Sequence, residues 1–111
     1  PRAGSTLLEQ ILSSHSQVDG TLELPNILTM AHKLGRGKQL TANNRYPDVL
    51  KELKGEQLRA LGEEFIRDTA IHRQGAPYFI DKMPNNFWHI GLIHLILQYL
   101  SDLILLEGCL I

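Results

Sequence analysis

Pro1-Arg2-Ala3-Gly4-Ser5-Thr6-Leu7-Leu8-Glu9-Gln10-Ile11-Leu12 opens the chain, and its order of residue types is that of a turn built to hold an anion. A positive side chain, Arg2, and a glycine, Gly4, come directly before two hydroxyl residues, Ser5 and Thr6. Gly4 lets the backbone approach an anion closely, and the hydroxyls are donors. Leu7, Leu8, Ile11 and Leu12 fall at i, i+1, i+4 and i+5, one face of a helix predicted from Ser5 to Ser14 or His15. The first N–H groups of such a helix have no partner within it, and its dipole favours negative charge at that end. The stretch lacks the Gly-Lys-Ser/Thr ending of a Walker A loop, so it does not read as an ordinary ATP or GTP site. A plainer reading is a helix start with Ser5 or Thr6 as N-cap.

The rest of the chain supplies an α/β order. Gln17 to Leu24 reads as a short loop or extended segment, with Pro25 restricting Leu24 to an extended conformation. Asn26 to Leu34 is predicted to be a short helix, and Gly55 to Arg73 a longer amphipathic one carrying Leu58, Leu61, Phe65 and Ile66. Gly75-Ala76-Pro77 ends it. Tyr78-Phe79-Ile80 is a short aromatic and β-branched run between turn residues, the pattern of a buried strand. Pro84-Asn85-Asn86 starts another helix, with the two asparagines as candidate caps, and Leu103 to Leu106 is a second strand candidate. Ligands in parallel α/β sheets sit at the carboxyl ends of the strands. Arg2 to Thr6 and Asp81-Lys82 are both expected at such ends.

The opening stretch resembles the 5′-phosphosulfate loop of sulfotransferases, usually Pro-Arg-Ser-Gly-Thr-Thr-Leu, which binds 3′-phosphoadenylyl sulfate (PAPS). Its Leu-Glu-Gln-Ile-Leu continuation is most similar to a bacterial branch often fused to tetratricopeptide repeats and related to protein-tyrosine sulfotransferases. Two further segments carry the resemblance. His15-Ser16-Gln17-Val18-Asp19-Gly20-Thr21-Leu22-Glu23-Leu24-Pro25 resembles His-Pro-x-Val-x-Gly-x-x-Glu-Leu-Pro, with Ser16 in place of the usual proline. Asp81-Lys82-Met83-Pro84-Asn85-Asn86-Phe87 matches the branch's Asp-Lys-Met-Pro-Asn-Asn-Phe signature. The resemblance implies a P-loop-like parallel sheet flanked by helices, incomplete here, with its first strand and C-terminal part missing. It makes residues 1–111 a partial sulfotransferase domain and the chain a fragment. It implies PAPS as co-substrate, held by Arg2, Ala3, Gly4, Ser5 and Thr6. It also implies Glu23 as catalytic base, with Lys82 and Arg2 stabilising the sulfonate and the leaving phosphate. No metal is expected, because fixed cations do the charge work. The acceptor is expected to be a hydroxyl on a small molecule, glycan or peptide, and tetratricopeptide repeats are expected upstream.

After Leu97 the resemblance stops. The family continues with a Pro-Asn turn, a strand and an Arg-Arg-Asp-Pro segment whose arginine holds the 3′-phosphate. Gln98 to Leu103 and Glu107-Gly108-Cys109 stand in that region and offer no arginine. Either the chain ends before that element or the tail has diverged. An alternative expectation follows: a non-enzymatic helical interaction module, or a degenerate relative.

Composition narrows the classes. With 111 residues, 43% hydrophobic and 21% charged, the chain is at most one ordinary globular domain. A net charge of −1 gives no reason to expect nucleic-acid binding. The apolar run from Ile90 to Leu100 is broken by His94 and Gln98, and is shorter than the ~20 residues of a membrane span. A single cysteine, Cys109, leaves no internal disulfide and suits a reducing compartment, so a cytoplasmic setting is expected, and the resemblance implies a bacterial origin. The five histidines are scattered, and His89 and His94 lack the i, i+4 spacing of a helical zinc pair. They read as structural or surface residues, with His15, packed at the end of the first helix, as a rival base. Arg36, Lys38 and Arg45 read as a solvated basic loop.

Overall fold

The computed structural model describes residues 4–36, 44–98 and 100. Its elements run α1 (Ser5–Ser13), β1 (Val18–Gly20), α2 (Asn26–Arg36), a 3-10 turn (Asp48–Glu52), α3 (Gly55–Thr69), a 3-10 turn (Ala70–His72), β2 (Tyr78–Ile80), a 3-10 segment (Pro84–His89) and α4 (Ile90–Leu97). β1 and β2 pair in parallel, Val18 against Tyr78 and Gly20 against Ile80. The chain between them carries α2 and α3, so this is an α/β arrangement. The predicted strand at Tyr78–Ile80 is present, and Val18–Gly20, within the loop or extended segment expected at Gln17 to Leu24, is its partner. Arg2, Ala3, Lys38, Cys109 and the strand candidate at Leu103 to Leu106 lie outside the described residues.

Three helices make the core. Ile27, Met30 and Ala31 of α2, Leu58 and Phe65 of α3, and Leu92, Ile96 and Leu97 of α4 are buried together. Each fully buried aliphatic side chain there contributes about 1.5–3 kcal/mol. α3 and α4 cross closely at Gly62, where a β-carbon would lie 2.1 Å from the Ile96 carbonyl oxygen. Phe79 brings β2 onto this core, its ring 6.2 Å from that of Phe65 and 4.9 Å from the Arg73 guanidinium.

Several helix ends differ from the sequence expectation. α3 tightens into a 3-10 turn at Ala70, three residues before the predicted end. There the Thr69 hydroxyl donates to the Phe65 carbonyl at 2.7 Å, an alternative to regular continuation. Asn85 and Asn86 are not caps. The segment they begin is a 3-10 helix with Met83 as N-cap and Pro84 in the first turn, and Asn86 turns its amide to Asp81 instead. Ser5 and Thr6 are not N-caps either. Gly4 holds that position with φ 90 and ψ 16, a left-handed conformation open to glycine, so both hydroxyl residues enter the helix.

Candidate functional site

Backbone pairing beyond the two short strands assembles the site. Thr21 continues the ladder, its N–H 3.3 Å and its hydroxyl 2.6 Å from the Ile80 carbonyl. The Lys82 N–H then donates to the Leu22 carbonyl at 2.9 Å. The residues just past β1 and just past β2 are thereby laid side by side, and Glu23 and Lys82 follow from that register. Asp81 locks it from below. Its carboxylate accepts the N–H groups of Leu24 at 3.3 Å and Met83 at 3.0 Å, and the Asn86 side-chain amide at 3.0 Å.

Lys82 is the hub. Its ammonium, on a side chain 14% exposed, donates to the Thr6 hydroxyl at 3.2 Å. It lies 3.7 Å from Glu23 Oε1 and 3.9 Å from Glu9 Oε2. The first turn of α1, the segment after β1 and the segment after β2 therefore meet at one lysine. Gly4, Ser5 and Thr6 form the N-terminal end of α1, where no side chain caps the helix and no acidic residue sits in the first turn. Such an end favours an anion. The Glu23 side chain is 53% exposed and open to an incoming molecule, whereas Glu9 is 4% exposed.

Glu9 is the residue that periodicity misses. Leu7 and Ile11 were expected on the buried face of α1, but they are 61% and 59% exposed. The helix is instead rotated so that Glu9 points inward, because its Oε1 accepts the Leu22 N–H at 2.7 Å. A charged residue inside an apolar heptad-like pattern is the only sequence signal that this helix turns a carboxylate to the interior. Leu22 has φ 61, left-handed backbone that costs a residue with a β-carbon roughly 1–2 kcal/mol. Its N–H and C=O are both held, by Glu9 and by Lys82.

The histidines stand apart from this hub. His15 is exposed rather than packed, and its Nδ1 accepts the Gln17 N–H at 3.2 Å. His89 Nδ1 and the Tyr46 hydroxyl form a 2.7 Å hydrogen bond. Burial lowers the His89 pKa and raises that of Tyr46, so both favour their neutral forms. Among the described residues no helix is long and apolar enough to cross a membrane.

A protein-family model described as "Sulfotransferase family" matches residues 1–98. An "Uncharacterized protein" of Aquifex aeolicus (strain VF5) is 32% identical over 95 residues. That alignment covers 84% of this chain and 12% of the relative, so the chain spans a small part of that protein's length. No solved structure matches with significance.

Proposed function

This chain belongs to the sulfotransferase family, and we propose that its site transfers a sulfuryl group from PAPS to an acceptor hydroxyl within a P-loop-like α/β fold. What supports the reading is the convergence on Lys82 of Thr6 at 3.2 Å and Glu23 at 3.7 Å, from three separate segments. The residues present fit an anionic donor: an uncapped helix end without acidic residues, a hydroxyl and a largely buried ammonium.

In this proposal the backbone at Gly4, Ser5 and Thr6 cradles the 5′-phosphate, with Arg2 and Ala3 completing the loop. When bound, PAPS supplies the sulfuryl group, whose bond to the 5′-phosphate oxygen breaks as the acceptor oxygen bonds to sulfur. Glu23 takes the acceptor's hydroxyl proton. Lys82 and Arg2 stabilise the negative charge that grows on the departing phosphate oxygen. Half-exposed Glu23 suits a base that meets an acceptor arriving from solvent. His15 is the weaker candidate, since its ring nitrogen is engaged by its own turn. Tetratricopeptide repeats elsewhere in the full-length protein, as in the resembling branch, are part of the same proposal.

Glu23→Gln in the full chain tests it. The amide keeps the shape but cannot take the proton, so turnover should fall by roughly 10²–10⁴-fold. Calorimetry should find binding of adenosine 3′,5′-bisphosphate retained. Turnover equal to wild type removes Glu23 as base. A wild-type protein that binds no adenosine 3′,5′-bisphosphate is instead a degenerate relative.

A further inference from the structure

Glu9 is a buried carboxylate whose two oxygens have different tasks. Oε1 accepts the Leu22 N–H at 2.7 Å. Oε2 has no hydrogen-bond donor among the described residues and faces the Lys82 ammonium at 3.9 Å. Lys82 thus lies between a buried carboxylate and a half-exposed one, 3.7 Å from Glu23. The buried charge is the less screened of the two, so at a similar distance it competes strongly with Glu23 for the ammonium. The Leu22 that Glu9 holds is the left-handed residue directly before Glu23.

We propose that Glu9 is a positioning residue: its charge draws the Lys82 ammonium inward beside Thr6, so that Glu23 shares the lysine rather than holding it alone, and its other oxygen fixes the turn that presents Glu23. Without that charge Lys82 moves outward from its 3.7 Å approach into a closer, exclusive pair with Glu23. The base is then held more tightly in that ion pair, and an acceptor hydroxyl competes less well for it. What the positioned lysine does rests on the sulfuryl-transfer reading; that Glu9 positions it does not.

Glu9→Gln separates the two tasks, because the amide oxygen can still accept the Leu22 N–H while the charge is lost. In the full chain kcat should fall on the order of 10- to 100-fold. The KM for PAPS should not rise, since a negative charge near an anion site has been removed. Tm should stay within about 2 °C. Limiting acetic anhydride, read by peptide mass spectrometry, should acetylate Lys82 several-fold faster relative to Lys33 and Lys51 in the same molecule. A raised KM with kcat untouched, or an unchanged Lys82 labelling ratio, overturns the proposal. A wild type without sulfuryl transfer defeats the proposed function, and the labelling ratio still decides Glu9. Should Glu9→Gln fold poorly alone, a second comparison remains. Lys82→Met strands the Glu9 charge and should lower Tm, and adding Glu9→Gln should restore part of the loss. A double variant no more stable than Lys82→Met refutes the coupling.

Discussion

Asp81 shows how much one carboxylate can organise. Burial pushes its pKa above the ordinary 3.8, N–H donors from Met83, Leu24 and Asn86 pull it back, and the Glu9 charge adds to the rise. A carboxyl with a raised folded pKa contributes stability that is complete below 3.8 and is lost as pH rises through its folded value. Asp81→Asn should remove that pH dependence and cost within about 1 kcal/mol at neutral pH. The new amide has an acceptor ready, since Asn86 Oδ1 is buried with no hydrogen-bond partner among the described residues and needs only a turn of its own amide. Asp81→Ala instead leaves the N–H groups of Leu24 and Met83 without their acceptor, a loss of about 2–4 kcal/mol. Urea unfolding of the three proteins across the acid range checks both statements. If Asp81→Asn were as damaging as Asp81→Ala, the carboxylate's charge would matter more than its hydrogen bonds.

At the scale of elements, the α3–α4 crossing has the least tolerance. A methyl at Gly62 meets the Ile96 carbonyl oxygen at 2.1 Å, and a backbone atom cannot swing aside as a side chain can. Gly62→Ala should therefore lower stability by about 1–3 kcal/mol despite alanine's better helix propensity. A thermal melt equal to wild type would mean the helices separate freely. The same elements show what a sequence can disclose. Tyr78–Ile80 was readable because aromatic and β-branched residues stand between turn formers. β1 reads from sequence only as loop or extended segment, because Val18–Gly20 lacks such a run and its pairing is set by a partner far along the chain. The face that α1 buries differs from its apolar spacing for a related reason. Apolar spacing favoured Leu7 and Ile11 inside, but a hydrogen bond to Leu22 and a lysine from after β2 turn Glu9 inward. The motif residues Thr6, Glu23 and Lys82 were legible as types and spacings. Their common meeting point was not, since it depends on the register of a parallel pair.

For the molecule as a whole, rotating Glu9 inward leaves Leu7 and Ile11 at the surface, and Phe87, Trp88 and Ile90 are exposed as well. Exposed apolar side chains of this size favour association where they cluster. The 111-residue chain expressed by itself should self-associate at micromolar concentration, and Leu7→Lys with Ile11→Lys should reduce it. Analytical ultracentrifugation showing a monomer before substitution would contradict this. The hydrogen bond between Lys82 and Thr6 spans 76 residues of chain. Loop closure over that length adds only modest entropy, since it grows with the logarithm of length. Its effect is on time. A ribosome adding roughly 5–20 residues per second needs about 4–15 s to pass from the threonine to the lysine. For that interval the nascent chain carries its anion loop without Lys82 beside Thr6. The site comes into being only when the emerging second strand docks, so synthesis itself orders the assembly: α1, α2 and α3 are made before the lysine that completes the site, and α4 after it.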